Sequence, residues 1–251
     1  MKRNIRLKIA YDGTDFCGWQ IQNNARSVQG EIEEALKKIE GCGYRLTGSG
    51  RTDSGVHANG QIANFYTENN MPAEKFVPAL NSLLTNDISI IDSMEVPENF
   101  HSRYDAKKRV YRYYIKNTGT KKPSDGRFCW TVKRKPDLAN LNKIASVLTG
   151  VHDFTTFAAA GDQSESKVRE IFSAVFYYEG PFIVFKIVGN AFLWRMVRSL
   201  TGTIIELDAY GGRRADLIKI LNSKDRTLAG TTAPPNGLFL DRVIYDERAN
   251  Y

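Results

Sequence analysis

The sequence predicts an α+β fold made of two similar halves, and two observations carry that expectation. Strand-like and helix-like segments mix along the 251 residues without the strict alternation of a doubly wound parallel sheet. Apolar residues make up 42% and aromatics 11% of the chain, ample for a real core, and no window has the composition of a disordered segment. Sheets that are mainly antiparallel, with helices on their outer face, are the expected result.

Taken in order, Lys8-Ile9-Ala10-Tyr11 reads as a strand ending at the turn Asp12-Gly13. Ser27 is a good N-cap for a helix from Val28 to about Ile39, whose stripe is Val28, Ile32, Ala35, Leu36 and Ile39, with Gly41 just past its end. Tyr44 to Thr47 reads as a short strand and Gly48 to Gly55 as a loop without periodicity. Gln61 to Tyr66 resumes strand character, Pro72 to Leu83 is a second helix and Ile88 to Val96 another strand. Tyr111 to Lys116 and Arg127 to Lys133 have strand pattern, and Asp137 caps a helix that Gly150 ends. Val168 to Tyr178 and Phe182 to Val188 form two strands around the turn Glu179-Gly180-Pro181. A long helix from about Ala191 to Tyr210 stops at Gly211-Gly212, a shorter one covers Ala215 to Leu221, and Leu238 to Tyr245 is a last strand. Each half therefore reads loosely as strand, helix, strand, strand, helix, strand, the ferredoxin-like pattern shared by RRM modules. Halves of residues 1–105 and 106–251 would place a central cleft between them, though no Gly/Ser-rich linker marks the boundary.

The net charge of +7 is unevenly spread. Between Arg103 and Lys135 stand twelve Lys or Arg against Asp105 and Asp125, a balance of +10, while the rest of the chain balances at −3. Tyr104, Tyr111, Tyr113, Tyr114, Phe128 and Trp130 interleave with these charges. Basic groups neutralise phosphates and rings stack on unpaired bases, so the segment fits RNA. It fits equally two solvated basic strand faces whose aromatics fill a core. Cys17, Cys42 and Cys129 are odd in number, far apart and never in Cys-x-x-Cys spacing, which argues against a disulfide framework or zinc site and for a reducing, cytoplasmic setting. No apolar run approaches the roughly 18 residues of a membrane span, and the basic start is followed by no apolar stretch of a signal peptide.

The loop Gly48 to Ala58 carries the strongest chemical signal. Three glycines bracket Arg51, Thr52 and Asp53, so the backbone can turn tightly and approach a ligand. A dinucleotide fingerprint would need glycine where Asp53 stands, and a P-loop would need Gly-Lys-Ser/Thr. Asp53-Ser54-Gly55 has the form of an aspartic-protease motif, but that chemistry shares one proton between two carboxylates and the chain has no second Asp-Ser/Thr-Gly. An Asp in such a loop also commonly just caps a turn.

The neighbours of Asp53 decide among these readings. Gly50-Arg51-Thr52-Asp53-Ser54-Gly55-Val56-His57 closely resembles the Gly-Arg-Thr-Asp-x-Gly-Val-His signature of the TruA-type tRNA pseudouridine synthases. Further blocks resemble the family in its order: Tyr11-Asp12-Gly13, Gly18-Trp19-Gln20, Ser27-Val28-Gln29, Phe100-His101-Ser102-Arg103, Tyr111-Arg112-Tyr113, Asp153-Phe154-Thr155, Asn190-Ala191-Phe192, Met196-Val197-Arg198 and Gly237-Leu238. Leu84-Thr85-Asn86-Asp87 stands where the family commonly has Leu-Pro before Asp, and Trp194-Arg195 replaces a pair that often includes His.

The resemblance implies isomerisation of uridine to pseudouridine in the anticodon stem-loop of tRNA, at nucleotides 38 to 40, without cofactor or metal. It implies that Asp53 is the catalytic carboxylate, acting like a retaining glycosidase nucleophile or as a base. Tyr111 matches the family's active-site tyrosine, whose ring can stack on a flipped uracil. Arg198 aligns with a basic residue that pairs with the catalytic Asp and keeps it ionised. Arg51 would assist base extrusion or hold phosphate. His57 is expected to support the loop by hydrogen bonding, and a homodimer that binds tRNA is implied by the resemblance alone.

Overall fold

The computed structural model describes residues 2–41, 43–120, 122 and 125–245; Cys42 and Lys121 of the sequence reading lie outside them. Two compact units form, one running from the chain start to Lys107 and resuming at Phe239, the other spanning Lys108–Leu238.

In the first unit, strand β1 (Arg3–Tyr11) alternates so that Ile5, Leu7 and Ile9 are fully buried. Helix α1 (Val28–Glu40) starts where Ser27 accepts the Gly30 amide and ends where Gly41, in the left-handed conformation, donates back to the Lys37 carbonyl. Its buried stripe is Val28, Ile32, Ala35 and Leu36. There follow β2 (Thr47–Gly48), β3 (His57–Thr67), a 3₁₀ turn (Ala73–Lys75) leading into α2 (Phe76–Asn81), and β4 (Ile88–Val96). β1 lies antiparallel between β4 and β3, and β2 adds antiparallel to β3, giving the order β4-β1-β3-β2. Phe65 of β3 and Phe76 of α2 meet edge to face in the core at 5.3 Å.

The second unit contains β5 (Lys108–Asn117), the single turn α3 (Asp125–Phe128), β6 (Trp130–Val132), α4 (Leu138–Ala145), β7 (Gly150–Asp153), β8 (Val168–Glu179), β9 (Phe182–Gly189), α5 (Met196–Ala209) and α6 (Arg214–Ser223). Strands β5, β9, β8 and β7 pair antiparallel in that order, and β6 runs parallel to the end of β5. Tyr113, Ile183, Phe185, Ile187 and Phe176 are buried in this unit, as are Leu141, Ile144, Leu200 and Ile204 of the helices. The last strand, β10 (Leu238–Ile244), returns to the first unit and pairs parallel with the start of β3 at Phe239↔His57 and Leu240↔Ala58. Tyr245 donates to the Ser102 carbonyl at 2.6 Å, and the Lys107 amide donates to the Ile244 carbonyl at 2.8 Å. The α+β class is as expected, with antiparallel pairing dominant in both units.

Several elements differ from their expected bounds. Arg127 to Lys133 is a strand only at Trp130–Val132, because Asp125 opens a helical turn, taking the Lys116 ammonium and the Lys122 amide on its carboxylate. The helix expected from Ala191 begins at Met196. Asn190 Oδ1 takes the Ala191 and Glu170 amides and Asp162 takes the Trp194 amide, so the first five residues are held out of the helix. Gly150 does more than stop a helix: at φ 113° it opens β7, a strand too short to show alternation.

Candidate active site

The loop that carries Arg51 and Asp53 is tethered on both sides by backbone groups. The Thr52 carbonyl accepts the Trp19 amide at 3.1 Å, and the Thr52 hydroxyl shares a 2.8 Å hydrogen bond with the Tyr11 hydroxyl at the end of β1. The Phe16 carbonyl takes the Gly55 amide at 3.3 Å and the Ser54 hydroxyl at 3.1 Å, and Asp53 itself accepts the Val56 amide on its carbonyl at 3.1 Å, closing a turn around the carboxylate. On the upstream side, the Ser49 amide bonds the Ile62 carbonyl and its hydroxyl bonds Gln61 of β3 at 2.6 Å, while Gln61 also holds the Gly50 carbonyl. Gly18 sits at φ 94°, and a Cβ there would lie 2.6 Å from the Thr52 carbonyl oxygen. Only glycine lets the 16–19 segment come so close to the loop.

His57 supports the loop as expected. Fully buried at the start of β3, it stacks on Phe239 at 4.5 Å and accepts the Gly13 amide on Nδ1 at 3.0 Å. The same Nδ1 lies 3.1 Å from Asp12 Oδ1. One ring nitrogen therefore faces both the Gly13 amide and the Asp12 carboxylate, which ties the start of β3 to the 12–13 turn. Asp12 Oδ1 also closes an Asx turn on the Thr14 amide and hydroxyl. The structure thus ties Tyr11-Asp12-Gly13, Phe16 to Trp19 and Phe239 to the segment Gly48 to His57, in which Asp53 is half-buried and Arg51 exposed.

Tyr111 and Arg198 stand in the second unit. Tyr111 is half-buried on β5 and meets Phe192 edge to face at 5.1 Å. Arg198, half-buried in the first turn of α5, donates Nε to the Ala233 carbonyl at 2.8 Å and receives the Ala233 amide on its own carbonyl at 3.1 Å. The neighbouring Tyr113 hydroxyl donates to the Pro234 carbonyl; burial pushes that hydroxyl far above the usual tyrosine range, against a smaller downward pull from Arg198. The guanidinium of Arg198 is therefore oriented by the 233–234 segment, which nothing in the sequence pattern had singled out.

The basic, aromatic segment divides between its two readings. Tyr113 is fully buried core, whereas Tyr104 is 73% and Phe128 44% exposed, each with an Arg guanidinium 5.7 Å from its ring. Arg112 and Lys116 are spent on Glu179 and Asp125. Cys17 and Cys129 are free thiols. Among the described residues, no three His, Cys, Asp or Glu are grouped to hold a metal ion, and no helix is long and apolar enough to cross a membrane.

Comparison with known proteins agrees with the loop. The family model described as tRNA pseudouridine synthase matches residues 8–105 and 144–246. A protein of Treponema denticola named tRNA pseudouridine synthase A is 49% identical over 98% of this chain and 94% of its own length. Proteins of the same name from Borrelia turicatae and Caldicellulosiruptor saccharolyticus are 44% and 45% identical, each over 97% of this chain and all of their own length. With nearly the whole chain matched at such identity, it belongs to the tRNA pseudouridine synthase family and is an isomerase.

Proposed function

We propose that the chain converts uridine to pseudouridine in the anticodon stem-loop of tRNA, at nucleotides 38 to 40, with Asp53 as the catalytic nucleophile or base. The observation that carries this reading is the loop: half-buried Asp53 lies among Thr52, Ser54 and Gly55, which are hydrogen bonded to Tyr11, Trp19 and Phe16. A rigid carboxylate is what the chemistry needs. The bond from C1′ of the ribose to N1 of uracil breaks, the base turns, a bond from C1′ to C5 forms, and C5 gives up its proton while N1 takes one up, so the product is an isomer of the substrate. Asp53 assists departure of the base by attack on the sugar or by taking a sugar proton, as a retaining glycosidase carboxylate assists its leaving group. No electrons, donor group or cofactor enter that balance.

Arg51, exposed at the loop, occupies the place of the extruded base or binds phosphate. Tyr111 offers its ring to the uracil, and Arg198 binds the substrate with a guanidinium oriented by the Ala233 carbonyl. The strand order β4-β1-β3-β2 supports a ferredoxin-like pattern for the first unit. A cytoplasmic homodimer completes the reading; a single protomer mass by light scattering at micromolar concentration would remove the dimer.

The test is tritium release from C5-labelled uridine in an unmodified tRNA transcript. Native protein should release tritium with no added cofactor, and Asp53→Asn should lose at least about a thousandfold in rate, in line with losing a nucleophile or base, while still binding tRNA. Substantial release by Asp53→Asn would sink the role given to this residue.

A further inference from the structure

Trp194 is a large aromatic side chain left 45% exposed, in a segment whose backbone is fixed on both sides. Its amide donates to Asp162 Oδ2 at 2.6 Å and its carbonyl accepts the Ala159 amide at 3.0 Å. Asp162 is itself anchored. Its side chain is 5% exposed, and Oδ1 takes the Lys167 ammonium and the Ser164 amide. The indole lies against Gly161, where an added Cβ would come within 2.8 Å of Cζ3, so the loop glycine is shaped to the ring. The next residue, Arg195, is exposed and holds the left-handed conformation at φ 60°, with its guanidinium 4.9 Å from the indole centroid. Three residues beyond Arg195 is Arg198.

A buried carboxylate, a lysine and a matched glycine together hold in place a ring that no core uses. The exposed indole buries little of its ring, and the left-handed arginine backbone is strained. Both features become useful if a flat, anionic ligand arrives. Nucleotides are such ligands: the base stacks on indole or guanidinium, and the guanidinium pairs with phosphate. Preorganisation by Asp162 removes the ordering cost from the binding step.

We propose that Trp194 and Arg195 form a stacking site for an unpaired nucleotide of the RNA substrate, with Asp162 as the residue that positions it. The site rests on the reading of the chain as an enzyme acting on tRNA and adds to it a binding element outside the Asp53 loop. Trp194 supplies the ring face, and Arg195 supplies the phosphate or second stacking partner. Asp162 touches no RNA; it fixes the Trp194 backbone.

Binding of an unmodified tRNA transcript, measured by filter retention beside tritium release at saturating RNA, tests the site. Trp194→Ala should weaken binding about tenfold or more, the loss of one stacked base, with the rate at saturation changed far less. Trp194→Phe should recover most of the affinity. In the native protein tRNA should quench tryptophan emission, and that quench should shrink in Trp194→Phe, whose remaining Trp19 and Trp130 are buried or half-buried. Asp162→Ala should reduce the quench and the affinity together. Native affinity in Trp194→Ala, with native tritium release, overturns the stacking site and leaves the enzymatic reading standing. A lower oligomer mass in Trp194→Ala with native affinity also overturns it, placing the ring in a protein interface. Absence of both tRNA binding and release in the native protein overturns both readings.

Discussion

At the scale of single residues, the carboxylates show how one side chain type is put to different uses. Asp53 carries the signature that sequence alone exposes, because three glycines and a Val-His pair around one acid are rare by chance. Asp162 carries no such mark. It becomes visible only when a loop and the entry to α5 meet, and its surroundings then decide its state. Burial opposes its ionisation, but Lys167 and the Trp194 and Ser164 amides outweigh burial and hold its carboxyl well below the usual carboxylate range. A folded value below the unfolded one means that the stabilisation is complete above about pH 4, the unfolded carboxylate value, and is lost as pH falls further. The native protein should therefore lose thermal stability between about pH 4 and pH 2 more steeply than Asp162→Asn, followed by circular dichroism. Parallel acid profiles for the two proteins would contradict this account of Asp162.

At the scale of elements, the strongest periodic and capping signals were legible. α1 begins after Ser27 and ends at Gly41, and β4 spans Ile88–Val96, as the sequence reads. Elements whose ends are set by long-range hydrogen bonds were not. α5 starts late because Asp162 lies 32 positions upstream, and β2 shrinks to Thr47–Gly48 because Leu46 is pulled onto Glu33 of α1. The Asp53 loop belongs with these: its shape comes from the carbonyl of Phe16 and the amide of Trp19, and backbone groups leave no trace in side-chain pattern. Gly18→Ala tests the point. It forces an L residue to φ 94° and drives Cβ toward the Thr52 carbonyl, so the loop must shift. The expected result is a tRNA affinity near native, with turnover reduced about tenfold to a hundredfold by misplacement of Asp53. Native turnover in a folded Gly18→Ala protein would show that this contact does not position the carboxylate.

At the scale of the whole molecule, the chain closes on itself. β10 leaves the second unit and pairs parallel with β3, beside the strand residue His57 that steadies the loop. Leu240, Val243 and Tyr245 are buried there, each contributing about 1.5–3 kcal/mol by burial. That total rivals the about 5–15 kcal/mol that holds a typical domain folded. Truncation after Gly237 should thus unfold the first unit, read from exposure of the buried Trp19 by emission in urea. A native midpoint for the truncated chain would mean that β10 is dispensable.

The sequence by itself determined the α+β class, the well-capped helix, the loop centred on Asp53 and, through resemblance, the family. These are encoded locally, in hydrophobic period, cap residues and short motifs, so each can be read within a window of a few residues. Only the tertiary structure decided that the final strand serves the first unit, that Phe16 and Trp19 clasp the Asp53 loop, that Ala233 orients Arg198 and that Asp162 sets Trp194 at the surface. Those features depend on hydrogen bonds and pairings between residues tens to nearly two hundred positions apart, and mostly on backbone atoms that every residue type possesses. A one-dimensional pattern cannot distinguish which of those common groups will meet; the packing of apolar faces does, by bringing particular strands and loops together.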